Sequence, residues 1–441
     1  MEFRISDERH AIRHKLMSTY DIILRNAYLM ARDQVVDIAI DDGVIAEIDD
    51  AVERTADREI QVGGDLVGPG FVDSHMHIDK SFAACGRRHP KGNDSAFDFR
   101  EIMPREEEYF AEMTVDEITE NALKDIEMAV AAGTTYIRTH VAVNHETFGL
   151  QNVEAVTRAR DVAANLVDIQ IVPAARHIPS EESKQILHDA IELASGSESP
   201  EPALVGGSDP AGANKDIERT LKAWFDVATK QDVGLDVHIQ DGGTLGGYTL
   251  DRLHEYTEAN GYEDRVTASH CYCLSHLPNH HLDRLIDQFT ESDMNIVTCY
   301  QSTRPTMPVR KLLESNVTLA HGTDNDRDFV FPHGNADSLE GALIESNKLH
   351  GDRTFVEDYR WFDSNEGLDQ LWEMITEQGA RALGIEDRYG VSEGNPADLV
   401  VFDEPSPQWA IIAQATRRFV LKNGAVVAED GELLPEYSVS E

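Results

Sequence analysis

The chain has 441 residues, 41% of them apolar, which allows a large buried core and argues against a disordered polymer. Its 39 basic residues against 81 acidic ones leave a formal charge of −42, which repels nucleic acid and anionic membranes and excludes both as expected partners. Acidic residues are spread along the chain rather than gathered in a tail, so they read as a solvated surface suited to high salt, and a halophilic source is expected.

The N-terminus lacks a signal-peptide core: residues 1–18 are polar and mixed in charge, and Met17 is an alternative start. No apolar run approaches the roughly 20 residues needed to span a bilayer. The cysteines, Cys85, Cys271, Cys273 and Cys299, form neither a CxxC pair nor a disulfide framework, which suits a reducing cytoplasm.

Residues 20–67 read as a run of strands. Asp21-Ile22-Ile23-Leu24 and Val36-Asp37-Ile38-Ala39-Ile40 are strand-like, and Asp41-Asp42-Gly43 before Val44-Ile45 is a tight hairpin signal. Gly68-Pro69-Gly70 breaks the pattern. From Phe71 to Gly322 short apolar runs alternate with helical stretches. Eight strands are predicted: Phe71 to His77, Thr135 to His140, Val167 to Val172, Ala203 to Gly206, Leu235 to His238, Val266 to His270, Ile296 to Cys299 and Val317 to Ala320. Between them, Thr114 with Glu117 forms a capping box ahead of an apolar stripe at Ile118, Leu123, Ile126 and Val130. A second stripe runs through Ile217, Leu221, Trp224, Phe225 and Ala228. Residues 195–202 read as a polar, proline-containing loop. After Gly384 the strand pattern returns at Ala397–Phe402, Arg418–Leu421 and Ala425–Val427. The expected architecture is α/β: a (β/α)8 TIM barrel over residues 70–384, with a small discontinuous β-sandwich from residues 19–69 and 385–435.

The chemistry lies at the predicted strand ends, where such barrels carry their active sites. His75 and His77 are two apart on one strand, so their side chains face the same way. His238 ends Gly-Leu-Asp-Val-His, His270 ends Val-Thr-Ala-Ser-His, and Asp324 follows Leu319-Ala320-His321-Gly322-Thr323. Each alone is commonplace: a lone histidine is more often a satisfied core residue, and Asp324 could be a helix N-cap. At the ends of separate strands of one barrel, His75, His77 and His238 with the Asp324 carboxylate read as three imidazoles and an acid around one divalent ion, and His270 as a second-sphere acid/base. Such donors suit Zn²⁺ or Fe²⁺, and the ion would lower the pKa of water from about 15.7 toward about 7. Lys80 overhangs the same mouth, where it can anchor a substrate oxygen. Asp241 lies three residues beyond His238 and can face the cavity. His140 and Asp209, after the second and fourth strands, are further substrate-binding candidates. The helical His-Glu-x-x-His of metalloproteases, the His-x-Glu with Pro-Cys-x-x-Cys of small nucleobase deaminases and a Walker loop are all absent.

These segments resemble the amidohydrolase superfamily and, within it, the cytosine deaminase branch. Gly68-Pro69-Gly70-Phe71-Val72-Asp73-Ser74-His75-Met76-His77 is similar to the family's first barrel strand, and Tyr389-Gly390-Val391 through Ala397-Asp398-Leu399 to its closing segment. His77–Phe82, Val297–Cys299, Pro305–Val309, Asp324–Phe329 and Pro407–Ile412 resemble an s-triazine-degrading subgroup. The resemblance implies metal ligands His75, His77, His238 and Asp324, with His270 beside the reacting water and substrate. Cytosine deaminases carry a proton-shuttling glutamate where Asp241 stands; the triazine subgroup has aspartate there. Both carry a glutamine after the third strand, and two readings of Arg176 are open: it stands in that glutamine's place, where an arginine only donates hydrogen bonds and favours carbonyl or anionic edges, or the loop is shifted and it lies on the surface.

The implied reaction is hydrolytic displacement of an exocyclic amino or alkylamino group from a small-molecule nitrogen heterocycle, of pyrimidine or s-triazine class. Catalysis would rest on His270, Asp324 and Asp241, with Lys80 and Arg176 gripping substrate oxygens. A cytoplasmic homo-oligomer with one bound ion is expected. One rival is ring-opening amide hydrolysis by two metals bridged through a carboxylated lysine on the fourth strand, which here has no lysine. Another is a non-catalytic scaffold, which would be expected to have lost ligands.

Overall fold

A computed structural model describes residues 19–83, 99–175, 177–196, 201–299, 306–351 and 361–440. The eight predicted strands form one parallel sheet in which every neighbour in space is a neighbour in sequence. They are Phe71–Met76, Thr134–Val143, Asp168–Ala175, Val205–Ser208, Leu235–Ile239, Val266–His270, Asn295–Cys299 and Leu319–Gly322. The first and eighth strands meet through a bridge between Met76 and Asp324 and a 2.8 Å hydrogen bond from Asp324 N to His75 O, so the sheet curls into a barrel. The second and third strands run three residues past their predicted ends; the first stops one residue short, leaving His77 just beyond the sheet.

Parallel strands covered on both faces are buried along their whole length. Phe71–Met76 and Val266–His270 are indeed buried at every position. The covering helices follow the predicted stripes. Val115–Ala131 opens with the reciprocal Thr114/Glu117 capping box and buries Ile118, Leu123, Ile126 and Val130. Ile217–Gln231 is N-capped by Asp216 and buries Trp224 and Phe225, each worth about 1.5–3 kcal/mol of apolar transfer.

The chain termini build two further sheets. Tyr20–Leu29, Gln34–Asp41, Val44–Asp49 and Ala56–Gln61 form one, with Asp42 and Gly43 both at positive φ in its hairpin turn. Leu399–Phe402, Arg417–Lys422, Ala425–Glu429 and Glu432–Leu433 form the other, and Val67–Pro69 joins it antiparallel to Leu399–Phe402. Leu24, Ile38 and Ile40 pack with Leu399, Val401 and Leu421 in one apolar core, so the two sheets face each other. The buried Lys422 ammonium bonds Asp398, Asp168 and the carbonyl of Thr135, tying this sandwich to the barrel. Among the described residues no helix is long and apolar enough to cross a membrane.

Candidate metal centre and active site

Barrel closure draws the candidate ligands together. Gly322 lies so close to the first strand that a Cβ there would come within 2.6 Å of the backbone N, backbone O and Cβ of His75. Only glycine lets the eighth strand approach this far. Asp73 clamps the same seam, accepting from Thr323 N at 3.1 Å, Thr323 Oγ1 at 2.6 Å and His75 N at 3.2 Å. Its complete burial pushes its pKa up to about 7.

At the mouth above this seam stand His75, His77, His238 and Asp324. The Asp324 Oδ1 lies 3.4 Å from His77 Nε2 and 3.7 Å from His75 Nε2. The His77 and His238 Nε2 atoms are 3.2 Å apart. His238 Nδ1 faces the carbonyl of Gly207 at 3.2 Å, a partner that can only accept, so its Nε2 carries the lone pair. The His77 ring bonds the backbone of His140. The His238 lone pair therefore points at His77 Nε2, and a proton or a cation has to lie between the two atoms. His75 Nε2 is buried with no hydrogen-bond partner among the described residues. Burial, reinforced by the neighbouring imidazoles, holds His75 and His238 well below the usual histidine pKa; burial and then Lys80 do the same for His77. Neutral rings with converging lone pairs and a carboxylate fit a divalent cation, and His75, His77 and His238 place one donor atom each within 4.8 Å of one another.

Two further histidines adjoin the centre. The His270 ring lies 4.8 Å from that of His75 and 4.9 Å from that of His238, and its Nδ1 is 3.2 Å from the Tyr272 hydroxyl. The His140 ring centre lies 4.2 Å from that of His75, the two rings tilted by 33°, with its Nε2 3.3 Å from Asp236. His270, the last residue of its strand, and Asp324, two residues past the end of its own, both take positive φ, 76° and 69°, a backbone strain of the kind that gathers at functional sites.

Lys80 is buried between Glu106 and Asp328, each 3.4 Å from its ammonium. Burial alone would lower its pKa, but Glu106, Asp328, Asp79 and Asp324 outweigh this and hold it above the usual lysine value. Asp241 and Asp209 have local work. The Asp241 carboxylate accepts from Ala211 N at 2.9 Å and Gly212 N at 2.8 Å, while Asp209 accepts from Gln240 N at 2.5 Å. The loops after the fourth and fifth strands are thus stapled to each other by two reciprocal aspartates. Arg176 lies outside the described residues.

Several residues of the site were not singled out from sequence: Asp73, Arg138, Asp236, Ser269, Tyr272, Glu106 and Asp328. A signal existed for three of them. Asp73, Arg138 and Asp236 each stand two positions before a histidine of the site on the same strand, so they share its inward face one layer deeper. A charge inside a doubly covered apolar strand is the anomaly to look for. Glu106 and Asp328 come from a helix and a loop that no strand pattern brings near Lys80.

The relatives of this chain make it a hydrolase acting on carbon–nitrogen bonds other than peptide bonds, and the barrel, its closing seam and this donor set suit that chemistry. Residues 143–428 match the Amidohydrolase family, and the chain belongs to it. It is 41% identical over 413 residues to N-isopropylammelide isopropyl amidohydrolase of Pseudomonas sp. (strain ADP), covering 93% of this chain and 98% of that one. The crystal structure of N-isopropylammelide isopropylaminohydrolase from Burkholderia multivorans superposes with a TM-score of 0.82 at 29% identity, covering 95% of this chain and 100% of that one. The 5-methylcytosine deaminase of Klebsiella pneumoniae shares the fold, with a TM-score of 0.80 at 23% identity over 92% of this chain and 97% of its own.

Proposed function

We propose that this chain is a metal-dependent aminohydrolase that removes an exocyclic amino or alkylamino group from a nitrogen heterocycle of the pyrimidine or s-triazine class. The observation that carries the reading is the convergence of three imidazole Nε2 atoms and Asp324 Oδ1 at one barrel mouth. It is supported by 41% identity along nearly the whole length of a relative named for an alkylamine-releasing activity. His75, His77, His238 and Asp324 would hold one ion, Zn²⁺ on the donor set, with Fe²⁺ as the alternative. When bound, the ion supplies Lewis acidity that makes water a nucleophile at neutral pH.

The remaining steps belong to the chain. Asp324 accepts a proton from the attacking water, and His270 orients that water and steadies the charge that develops as its oxygen bonds to the ring carbon. The carbon–nitrogen bond then breaks, and the amine departs with a proton delivered by Asp324 or Asp241. For Asp241 this duty adds to the two backbone bonds it already accepts. Lys80 and Arg176 grip substrate oxygens, with His140 and Asp209 as further substrate contacts.

The test is metal removal and replacement. Dialysis against a chelator should abolish release of ammonia or amine from a panel of aminated pyrimidines, purines and s-triazines. One equivalent of Zn²⁺ per chain should restore it. Full activity after complete metal removal would overturn the reading. A requirement for two equivalents, with ring opening in place of amine release, would favour the cyclic amide hydrolase.

A further inference from the structure

A ligating imidazole must present an unprotonated nitrogen, and the proton on its other nitrogen needs a fixed acceptor. For His238 that acceptor is the Gly207 carbonyl. For His75 it is the Ser269 hydroxyl, 3.1 Å from Nδ1. A hydroxyl can donate or accept at such a contact, so Ser269 by itself does not choose the tautomer. Asp236 chooses it. Its Oδ1 lies 2.7 Å from Ser269 Oγ, and a carboxylate only accepts. With the single hydroxyl proton committed to Asp236, Ser269 Oγ can only accept from His75 Nδ1–H. His75 Nε2 is then left bare, and it is the buried nitrogen with no hydrogen-bond partner among the described residues.

Asp236 is wholly buried and is held in place from several sides. Its Oδ2 accepts from Arg138 Nη1 at 3.0 Å, and its Oδ1 also lies 3.3 Å from His140 Nε2. Arg138 is in turn fixed by Gln170, Thr267 and the carbonyl of Ala382. One carboxylate therefore reaches His75 through Ser269 and also faces the neighbouring His140 ring. We infer that Asp236 and Ser269 are positioning residues that lock His75 in its Nδ1–H form and so set the protein's affinity for the cation. This rests on the metal-centre reading above.

The first experiment needs no metal. In metal-free, histidine-labelled protein, nitrogen NMR should find the His75 ring protonated at Nδ1 in the wild type, and Ser269→Ala should shift it toward the Nε2–H form. The second measures Zn²⁺ affinity by chelator competition. Ser269→Ala should bind about 10–100-fold more weakly, the range for losing an outer-shell partner of a ligand. Thr267→Val, which removes a hydroxyl from the same buried network without touching His75, should bind within about twofold of wild type. Ser269→Ala with wild-type affinity would overturn the inference, as would an Nε2-protonated His75 in the wild type. An equal loss in Thr267→Val would also overturn it, because general loosening of the core would then explain both. A wild-type protein that bound no divalent ion would instead sink the metal-centre reading, while the tautomer measurement would still decide the role of Ser269.

Discussion

At the residue scale, Asp324 carries more than any other side chain. It donates its backbone N–H to His75 O across the closing seam, holds a φ of 69°, and points one oxygen between the His75 and His77 rings. A non-glycine residue in that conformation costs of order 1–3 kcal/mol, which the surrounding structure has to offset. Asp324→Asn keeps the shape and the backbone bond but removes a ligand charge and a proton acceptor. Turnover should fall by about 10³-fold or more, within or beyond the usual range for losing a general base, with little change in thermal stability of the metal-free protein. Steady-state kinetics beside metal analysis would check this, and near-normal kcat would remove Asp324 from both roles. Strand-end position made Asp324 legible in the sequence. The staple made by Asp241 was not legible, because its two partners, Ala211 and Gly212, lie 30 and 29 residues away on another loop.

At the element scale, the seam between the first and eighth strands is the joint on which the centre depends. Two of the proposed ligands lie on or just past one strand and a third just past the other. Their separation is set by Gly322 packing against His75 and by Asp73 clamping Thr323. Gly322→Ala would force its methyl against the His75 backbone, which cannot yield as a flexible side-chain tip would. A loss of about 1–3 kcal/mol is expected from overpacking, with Zn²⁺ affinity falling alongside it as Asp324 is pushed from the histidines. Denaturant unfolding and chelator competition on the same samples would measure both, and a variant stable and tight-binding as wild type would show that the seam tolerates a wider gap. The helices, by contrast, follow local rules. The Thr114/Glu117 box and the Asp216 cap start their helices where the sequence places them, since each cap satisfies N–H groups only a turn away.

At the scale of the whole molecule, the charge of −42 dominates. Such a surface repels itself over distances that salt controls, the Debye length shrinking from about 10 Å at 0.1 M to about 3 Å at 1 M. The unfolding midpoint should therefore rise as KCl is raised from 0.1 to 2 M, read by scanning calorimetry. A midpoint that stays flat or falls would remove the high-salt reading of the composition. Buried pairs are far less screened, so the Lys422 contacts with Asp398 and Asp168 should hold the sandwich to the barrel across that range.

The sequence by itself determined the eight-fold alternation of strand and helix, the hairpin at Asp42-Gly43, the helix caps, and the strand-end positions of His75, His77, His238, His270 and Asp324. All of these rest on periodicity or on partners within a few residues, which a linear reading can see. Only the tertiary structure decided how close the first and eighth strands come, that Lys80 lies between Glu106 and Asp328, and that Ser269 links Asp236 to His75. Those facts depend on groups up to about 250 residues apart in the chain, as in the Asp73–Thr323 clamp. Barrel closure brings such groups within hydrogen-bond distance, and no local pattern encodes a distance across the ring.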